Sequence, residues 1–395
     1  MFDQNETIRV IEGLLSHIDN DTNVDAGVQL KNPVSGYTSS QIASQEWQQF
    51  FQDYPHLLGL SADLPEAGSF MTSADLGKPI LATRDEEGHF HAFLNVCRHR
   101  GTMVESEARG QKNTFHCPFH AWGYNTQGDL VAVPKEDHFG RVDKSCNGLV
   151  KLPAEERWGL LWVHPDPQGE LDLDDQLGDL GAELGSWDLG KHRFQSTTTY
   201  PHAMNWKLAI DTFGETYHFN ALHRDTLAQD FYGNAQIYDR YKRNHRMMLC
   251  MKNIETLREV DKQDWNVLLG ALPVYYIFPN IQLIIGMSGP TLVRVYPEKD
   301  NPHESFSHVS FYLDESYTNV SPSTRVGDPA DAEMRMQGFA EVIRDEDYVA
   351  AASSHIGAMS GAQDYLIFGR NEPALHHYHN TYRKALGLPA LEALE

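Results

Sequence analysis

Cysteine is scarce in this chain: Cys97, Cys117, Cys146 and Cys250 are the only four among 395 residues. That usage excludes a disulfide-stapled secreted scaffold and suits a reduced, cytoplasmic setting. Basic charge is short as well, with 32 Lys and Arg against 55 Asp and Glu and a formal net charge of −23. Such a balance argues against nucleic acid and anionic membrane surfaces as partners. The first residues, Met1 to Glu6, carry acids and lack the basic-then-apolar pattern of a signal peptide. Long apolar runs are missing. The most apolar stretch, Ala271 to Met287, is broken by Pro273, Pro279, Asn280 and Gln282, so it reads as two strands and not as a membrane span. Internal repeats and a dinucleotide-binding fingerprint are absent too. What remains is a 41% hydrophobic chain sized for two globular domains, or for one domain carrying an insertion.

Two of the cysteines sit in the densest motif. Cys97-Arg98-His99 and Cys117-Pro118-Phe119-His120 read C-x-H-x17-C-x2-H. Two thiolates and two imidazoles in that order suit an iron–sulfur centre with both Cys on one iron and both His on the other. Zinc modules instead run Cys pairs followed by His pairs. Asn95-Val96 precede the first half, Arg100-Gly101 follow it, and Trp122-Gly123-Tyr124 follow the second. Together these residues resemble the Rieske [2Fe–2S] signature, which makes Cys97, His99, Cys117 and His120 the expected cluster ligands.

Around that motif the chain changes texture. Ile8, Ile11 and Leu15 predict a helix over Thr7 to Leu15, and a second helix is expected from Gln41 to Phe51, stopped by Pro55. Ile80 to Arg84 with His89 to Phe93, and Trp122 to Tyr124 with Leu130 to Val133, read as hairpins, and Trp158 to His164 as a closing strand. Acidic Pro165 to Asp175 reads as a linker. The expected organisation is N-terminal helices over 1–50, a β-rich domain over 51–165, a linker over 166–190 and a second domain over 191–395. In that second domain His192 to Tyr200 is strand-like and Asn205 to Leu222 helical. Four antiparallel strands follow: Val274 to Phe278, Ile281 to Ile285, Thr291 to Tyr296 and Ser305 to Leu313. A long helix from Pro329 to His355 and a short one from Ala374 to Leu386 complete an α+β class, a curved sheet wrapped on a helix and enclosing a pocket.

A second constellation lies there. On a continuous helix Asp211, Glu215 and His218 share one face. His218 and His223 are five apart, so joint ligation needs the helix to end or loosen between them. The long helix offers Asp345-Glu346-Asp347, and its apolar face, set by Phe339, Ile343 and Ala350, turns Asp345 away but leaves both Glu346 and Asp347 open. Two His and one carboxylate with free coordination positions are the facial triad of non-haem iron oxygenases.

From about Ser40 onward the sequence resembles the alpha (large) subunit of the Rieske-type ring-hydroxylating oxygenases. Asn205-Trp206-Lys207, a carboxylate, Tyr217-His218-x4-His223 and Glu346-Asp347 stand in that family's order. The resemblance implies a Rieske domain inserted into or preceding a helix-grip catalytic domain, with one [2Fe–2S] cluster and one mononuclear Fe(II) per chain. It makes His218, His223 and Asp347 the iron triad. Glu215, where the family usually has Asp, becomes a carboxylate bridging His120 and His218. Asp211 then faces the iron or substrate cavity, or pairs with Lys207. The implied activity is a terminal oxygenase using O2 and NAD(P)H-derived electrons, delivered by a ferredoxin and/or ferredoxin reductase. Its expected substrate is an aromatic or related small molecule, hydroxylated or dihydroxylated; the alternative is a quaternary amine such as a betaine or carnitine-like compound. A homotrimer, with or without a beta subunit, is implied too, electrons crossing between subunits.

Arg98, Arg100, Arg109 and Lys112 form a local basic patch, read as an offset to cluster charge or a dock for an acidic ferredoxin. Trp122 reads as packing that shields the cluster. Phe213, Phe219, Tyr275, Tyr276 and Phe278 read mostly as core, and His376, His377 and His379 as solvated helix residues. A pure electron carrier needs no second domain, and a ligand-binding regulator on the same helix-grip fold would have no turnover.

Overall fold

In the computed structural model residues 2–314 and 337–394 are described. Asp3 opens the first helix by accepting from the Glu6 N–H, and Asp21, in the left-handed conformation, closes it. This helix, α1 (Gln4–Asn20), is longer than its apolar periodicity suggests. Its stripe of Val10, Ile11 and Leu14 is buried against Ala235, Met248 and Cys250. The expected second helix runs Ser40–Glu46 and loosens into a wider π turn at Trp47–Gln52.

Those partners of α1 belong to a seven-stranded antiparallel sheet. Its strands are β1 (His192–His202), β2 (Phe231–Tyr241), β3 (Asn244–Met251), β4 (Ala271–Ile277), β5 (Ile281–Gly286), β6 (Gly289–Glu298) and β7 (Asn301–Asp314), in the order β1-β7-β6-β5-β4-β3-β2. Strands β1 and β4 to β7 match the sequence reading. Strands β2 and β3 escape it; β3 is buried along nearly its whole length and so shows no alternation. Helices α2 (Trp206–Asp211), α3 (Tyr348–Met359) and α4 (Pro373–Ala385) pack on the sheet or on one another.

Three expectations need correction. Residues 166–190 do not form a free linker: they carry helices Leu173–Leu177 and Asp179–Ser186, whose Leu173, Leu177, Leu180 and Leu184 are buried. The acids that suggested a linker pair with the sheet's cations, Asp175 with Arg243 at 2.8 Å and Glu183 with Arg246 at 2.7 Å. His376, His377 and His379 are not solvated but 8%, 6% and 3% exposed, because α4 lies down on the sheet. The Asn205-to-Leu222 helix ends at Asp211. As for the long helix, 329–336 lie outside the described residues; 337–342 are helical, and a π turn at Ile343–Asp347 leads into α3.

The chain divides into two compact units, one made of Met1–Trp47, Leu173–Trp187 and Phe194–Glu395, the other of Gln48–Asp172 and Asp188–Arg193. The second unit holds three small antiparallel sheets. One orders Phe90–Leu94, Ile80–Arg84, Ser69–Ser73 and Arg109–Gln111; another, Thr114–His116, Gly123–Asn125 and Leu130–Ala132. The third joins Ala154–Arg157, Leu160–Val163 and His56–Leu60. The first two sheets share a core of Phe70, Phe93, Phe115, Tyr124 and Leu130 that takes in Cys97 and Cys117. Among the described residues no helix is long and apolar enough to cross a membrane.

Candidate metal centres

In the second unit two loops share one construction. The Cys97 N–H donates to Thr102 O at 2.9 Å and the Gly101 N–H to Cys97 O at 3.0 Å, turning the chain around His99. Likewise the Cys117 N–H donates to Trp122 O and the Ala121 N–H to Cys117 O, both at 2.9 Å, around His120. Each turn needs one left-handed residue, supplied by Gly101 (φ 79°) in the first and by Ala121 (φ 57°) in the second. Both thiols are buried, and that burial, with Cys97 alongside, pushes the Cys117 thiol up. The His99 and His120 rings lie 4.6 Å apart, and Trp122 stacks on His99 at 5.0 Å. His99 Nδ1 is buried without a hydrogen-bond partner, a lone pair left for something other than protein. Two converging thiols, two imidazoles and that orphaned nitrogen fit a two-iron cluster.

The basic patch beside these loops is smaller than expected. Arg109 is 2.5 Å from Asp63, and Lys112 is 2.7 Å from Glu105, so two of its four cations are neutralised by carboxylates. Arg100 turns to His120 instead, its Nη2 3.0 Å from Nε2, while its guanidinium lies 4.3 Å from the centre of the Phe119 ring.

In the first unit Asn205 caps α2 by accepting from the Lys207 N–H at 3.1 Å. The helix stops six residues later, where a remote side chain and local hydrogen bonds act together. Gly214 is a poor helix former, and a Cβ there would come within 2.5 Å of Leu375. Glu215 accepts from the backbone N–H groups of Tyr217 and His218 (the latter at 3.1 Å), which commits the next turn to a new start. A short helix, Phe219–Leu222, then separates His218 from His223. That break lets both imidazoles face one point.

There the π turn adds Asp347. His218 Nε2 is 3.1 Å from His223 Nε2, and Asp347 Oδ1 is 3.2 Å from His223 Nε2 and 3.4 Å from His218 Nε2. Donors about 2.1 Å from one ion at right angles lie about 3.0 Å apart, so this triangle fits three facial positions on one metal. Glu346 does not face that point. Its Oε2 accepts from His223 Nδ1 at 2.7 Å and from the Thr226 hydroxyl at 2.9 Å. Glu215 holds His218 Nδ1 in the same way. Burial opposes charge on His218, yet its bonds to Asp347 and Glu215 win and raise it to about 9. Asp347 is pulled down despite its burial, by His218 and His223.

Asp211 takes neither expected role. It accepts from Tyr37 at 2.6 Å, Tyr378 at 2.7 Å and His379 at 2.8 Å, while Lys207 pairs with buried Glu46. Sequence spacing carried no signal for Tyr37, Tyr378 or His379, which arrive from remote elements. Glu372 went unread as well; burial first, then the charges of Glu215 and Asp211, push it up to about 7.

Glu215, His218 and Asp347 form a wall between two openings. On one side is a cavity of about 40 Å³ lined by Phe213, Phe219, Phe231, Phe339, Leu249 and Ile284. On the other is a wider cleft of about 250 Å³ that includes Asp211, Leu222, Ala350, Ile367 and Glu372. Phe213 and Phe219 thus line the cavity, whereas Tyr275, Tyr276 and Phe278 are buried core.

Residues 189–388 match the family model of the ring-hydroxylating alpha subunit (catalytic domain), and residues 55–151 match that of the Rieske [2Fe–2S] domain. The chain is 28% identical over 195 residues to the glycine betaine monooxygenase oxygenase subunit of Chromohalobacter salexigens, covering 49% of this chain and 43% of that protein. It is 31% identical over 188 residues to the biphenyl 2,3-dioxygenase alpha subunit of Rhodococcus jostii, covering 46% and 41%. In each case it spans less than half of the relative's length. Among solved structures, a quaternary ammonium Rieske monooxygenase in complex with L-carnitine superposes with a TM-score of 0.75 at 20% identity, covering 91% of this chain and 96% of that one.

Proposed function

Because the chain belongs to the ring-hydroxylating alpha-subunit family and carries a Rieske domain ahead of the catalytic one, we propose that it is the terminal component of an O2-dependent oxygenase. Cys97, His99, Cys117 and His120 hold the [2Fe–2S] cluster, and His218, His223 and Asp347 hold a mononuclear Fe(II). The cluster supplies electrons one at a time and the iron supplies O2 activation. Every other part is played by the chain. Glu215 and Glu346 accept from the Nδ1–H groups of the two ligating imidazoles, fixing the tautomers that turn both Nε2 lone pairs inward. The phenyl-lined cavity keeps water from the reacting side. The observation that carries the reading is the triangle of donor atoms at 3.1 to 3.4 Å.

Electron supply involves two partners. A ferredoxin and/or reductase brings electrons from NAD(P)H, since the sequence has no dinucleotide fingerprint. A second copy of this chain, in a homotrimer, sets its His120 against Glu215. The exposed apolar residues Leu222, Val349, Ile356, Met359 and Ile367 on the catalytic unit, and exposed Phe119 and Phe139 packed against the cluster histidines, support such docking. Free thiols support a reducing, cytoplasmic setting.

For the substrate, the betaine monooxygenase relative and the carnitine-bound quaternary ammonium monooxygenase favour a quaternary amine, oxidised by one oxygen atom. Phe213, Phe219, Phe231 and Phe339 suit a methylated ammonium through cation–π contact. Among the described residues the cavity lining has no Lys or Arg to pair a carboxylate, and Asp211 is spent on its three donors. That apolar lining favours a second reading, a neutral aromatic ring. Metal analysis and EPR of dithionite-reduced protein test the class: a Rieske signal plus separate iron, lost in His218→Ala, is expected. NADH-dependent O2 uptake with a reconstituting reductase, run over betaines, choline-like amines and simple arenes, then separates the substrates by product mass.

A further inference from the structure

Oxygen chemistry at the triad consumes protons as well as electrons. One O2 with two electrons turns a C–H bond into C–OH and water, or an arene into a cis-diol. Both sums close only with two protons, so the demand is the same for either substrate. The cavity has little means of supplying them. Apart from the triad, Glu215 and Thr212, its described lining is phenyl and aliphatic hydrocarbon. The wider cleft beyond the wall has room for several waters at about 30 Å³ each, and it holds the carboxyl of Glu372. Protons therefore stand ready in the cleft and are spent in the cavity.

Four described residues line both openings: Thr212, Glu215, His218 and Asp347. Three of them are committed. His218 and Asp347 turn donor atoms to the metal point, and Glu215 accepts from His218 Nδ1 and from two backbone N–H groups. Thr212 is the one left, and among the described residues it is the only hydroxyl in the cavity lining.

Its place follows from the end of α2. Thr212 is the first residue past Asp211, half-buried, and its Oγ1 donates to Ala209 O at 3.0 Å. A hydroxyl has one proton and two lone pairs, and turning about a single bond moves that proton from the carbonyl to another acceptor. It can thus receive on one side and give on the other. A metal-bound imidazole or carboxylate cannot do so without loosening its hold on the ion.

We propose that the Thr212 hydroxyl is a catalytic proton relay from the cleft to reduced oxygen in the cavity. In each pass the Thr212 O–H proton goes to the oxygen, and a new O–H bond forms with a proton from cleft water or from Glu372. The side chain ends unchanged, and two passes balance one O2. The inference rests on the oxygenase reading of the preceding section.

The test uses full-length, iron-loaded protein as wild type, Thr212→Val and Thr212→Ser, with a reconstituting reductase. Metal analysis and EPR report both centres. Nitric oxide, standing in for O2, is added without air, and exchangeable-proton couplings to its signal are compared by ENDOR in H2O and D2O. Turnover is measured in both solvents with whichever betaine, amine or arene gives product. Thr212→Val has nearly the native shape and should keep both metal signals while losing an exchangeable-proton coupling. Its kcat should fall at least about tenfold, with a larger solvent isotope effect and an unchanged KM. Thr212→Ser should restore coupling and rate. Wild-type coupling and rate in Thr212→Val would overturn the proposal. So would iron loss in that variant, a change in KM alone, or a defect that Thr212→Ser leaves in place. Wild-type protein lacking the separate iron or O2 uptake sinks the oxygenase reading instead.

Discussion

The loops at Cys97 and Cys117 and the triad at His218, His223 and Asp347 each gather two imidazoles, but what surrounds the rings differs. His120 keeps a partly exposed face with Arg100 against it, and exposed Phe119 and Phe139 flank the pair. His223 is buried, and carboxylates hold the Nδ1 of both triad rings. In the proposed reading, one centre passes charge through an accessible edge and the other holds an ion beside an apolar cavity. The contrast also explains why neutral imidazoles near a cation suit a cluster with thiolate charge of its own, while a divalent ion calls for three nearby acids.

The sharpest way to break that comparison is to remove donors from one centre and look at the other. His218→Ala should lose the separate iron to background while the Rieske EPR signal stays, and Cys97→Ser should do the reverse; metal analysis with EPR checks both. Loss of both signals from either variant would mean the centres are not independent. A smaller effect is expected one shell out. Glu346→Gln keeps size but weakens the hold on His223 Nδ1, so iron affinity measured against a competing chelator should fall about 10- to 100-fold. If Glu346 were instead the ligand, Asp347→Asn would be the milder of the two.

Acid should also separate the units. Burial holds His245 well below its ordinary value and His377 at about 4, and burial with His303 nearby holds His355 at about 4, all in the catalytic unit. In the cluster unit burial holds His56 at about 3. A buried neutral histidine contributes stability that is complete above the unfolded value of 6.5 and is lost as pH falls towards the folded one. Each can cost up to about 1.4 kcal/mol per pH unit across that window. Hydrogen exchange at pH 7 and pH 5 should therefore show the catalytic unit loosening more than the cluster unit, and His377→Gln should flatten the difference. Smallest of all, Thr226→Val removes one bond to Glu346 and should weaken iron binding by less than about tenfold, in keeping with about 1 kcal/mol for one hydrogen bond.

Legibility followed the same division. The four residues read as cluster ligands fall within one stretch of chain on two matching turns, so order and spacing sufficed to pick them out. The hairpin of Ile80–Arg84 and Phe90–Leu94 was readable too, because a Gly-containing acidic turn separates two short β-prone runs. The histidine pair of the triad was visible, but its geometry was not. A continuous helix predicted a shared face for Asp211, Glu215 and His218, but the helix ends at Asp211, and Glu215 caps the turn that follows. Periodicity left Glu346 and Asp347 equivalent; a π turn resolves them by turning Asp347 inward and Glu346 onto the back of His223. The burial of His376, His377 and His379 was misread because a polar helix face looks solvated until something polar is found to pack against it.

The sequence by itself determined the two kinds of donor set, the acidic surface and the antiparallel strands, because those depend on residue type and short-range spacing. Tertiary structure decided which acid faces the paired imidazole nitrogens, where α2 ends, and which groups occupy Asp211. Those outcomes turn on packing and hydrogen bonds between segments far apart in the chain, and an ångström of displacement there exchanges one carboxylate for its neighbour.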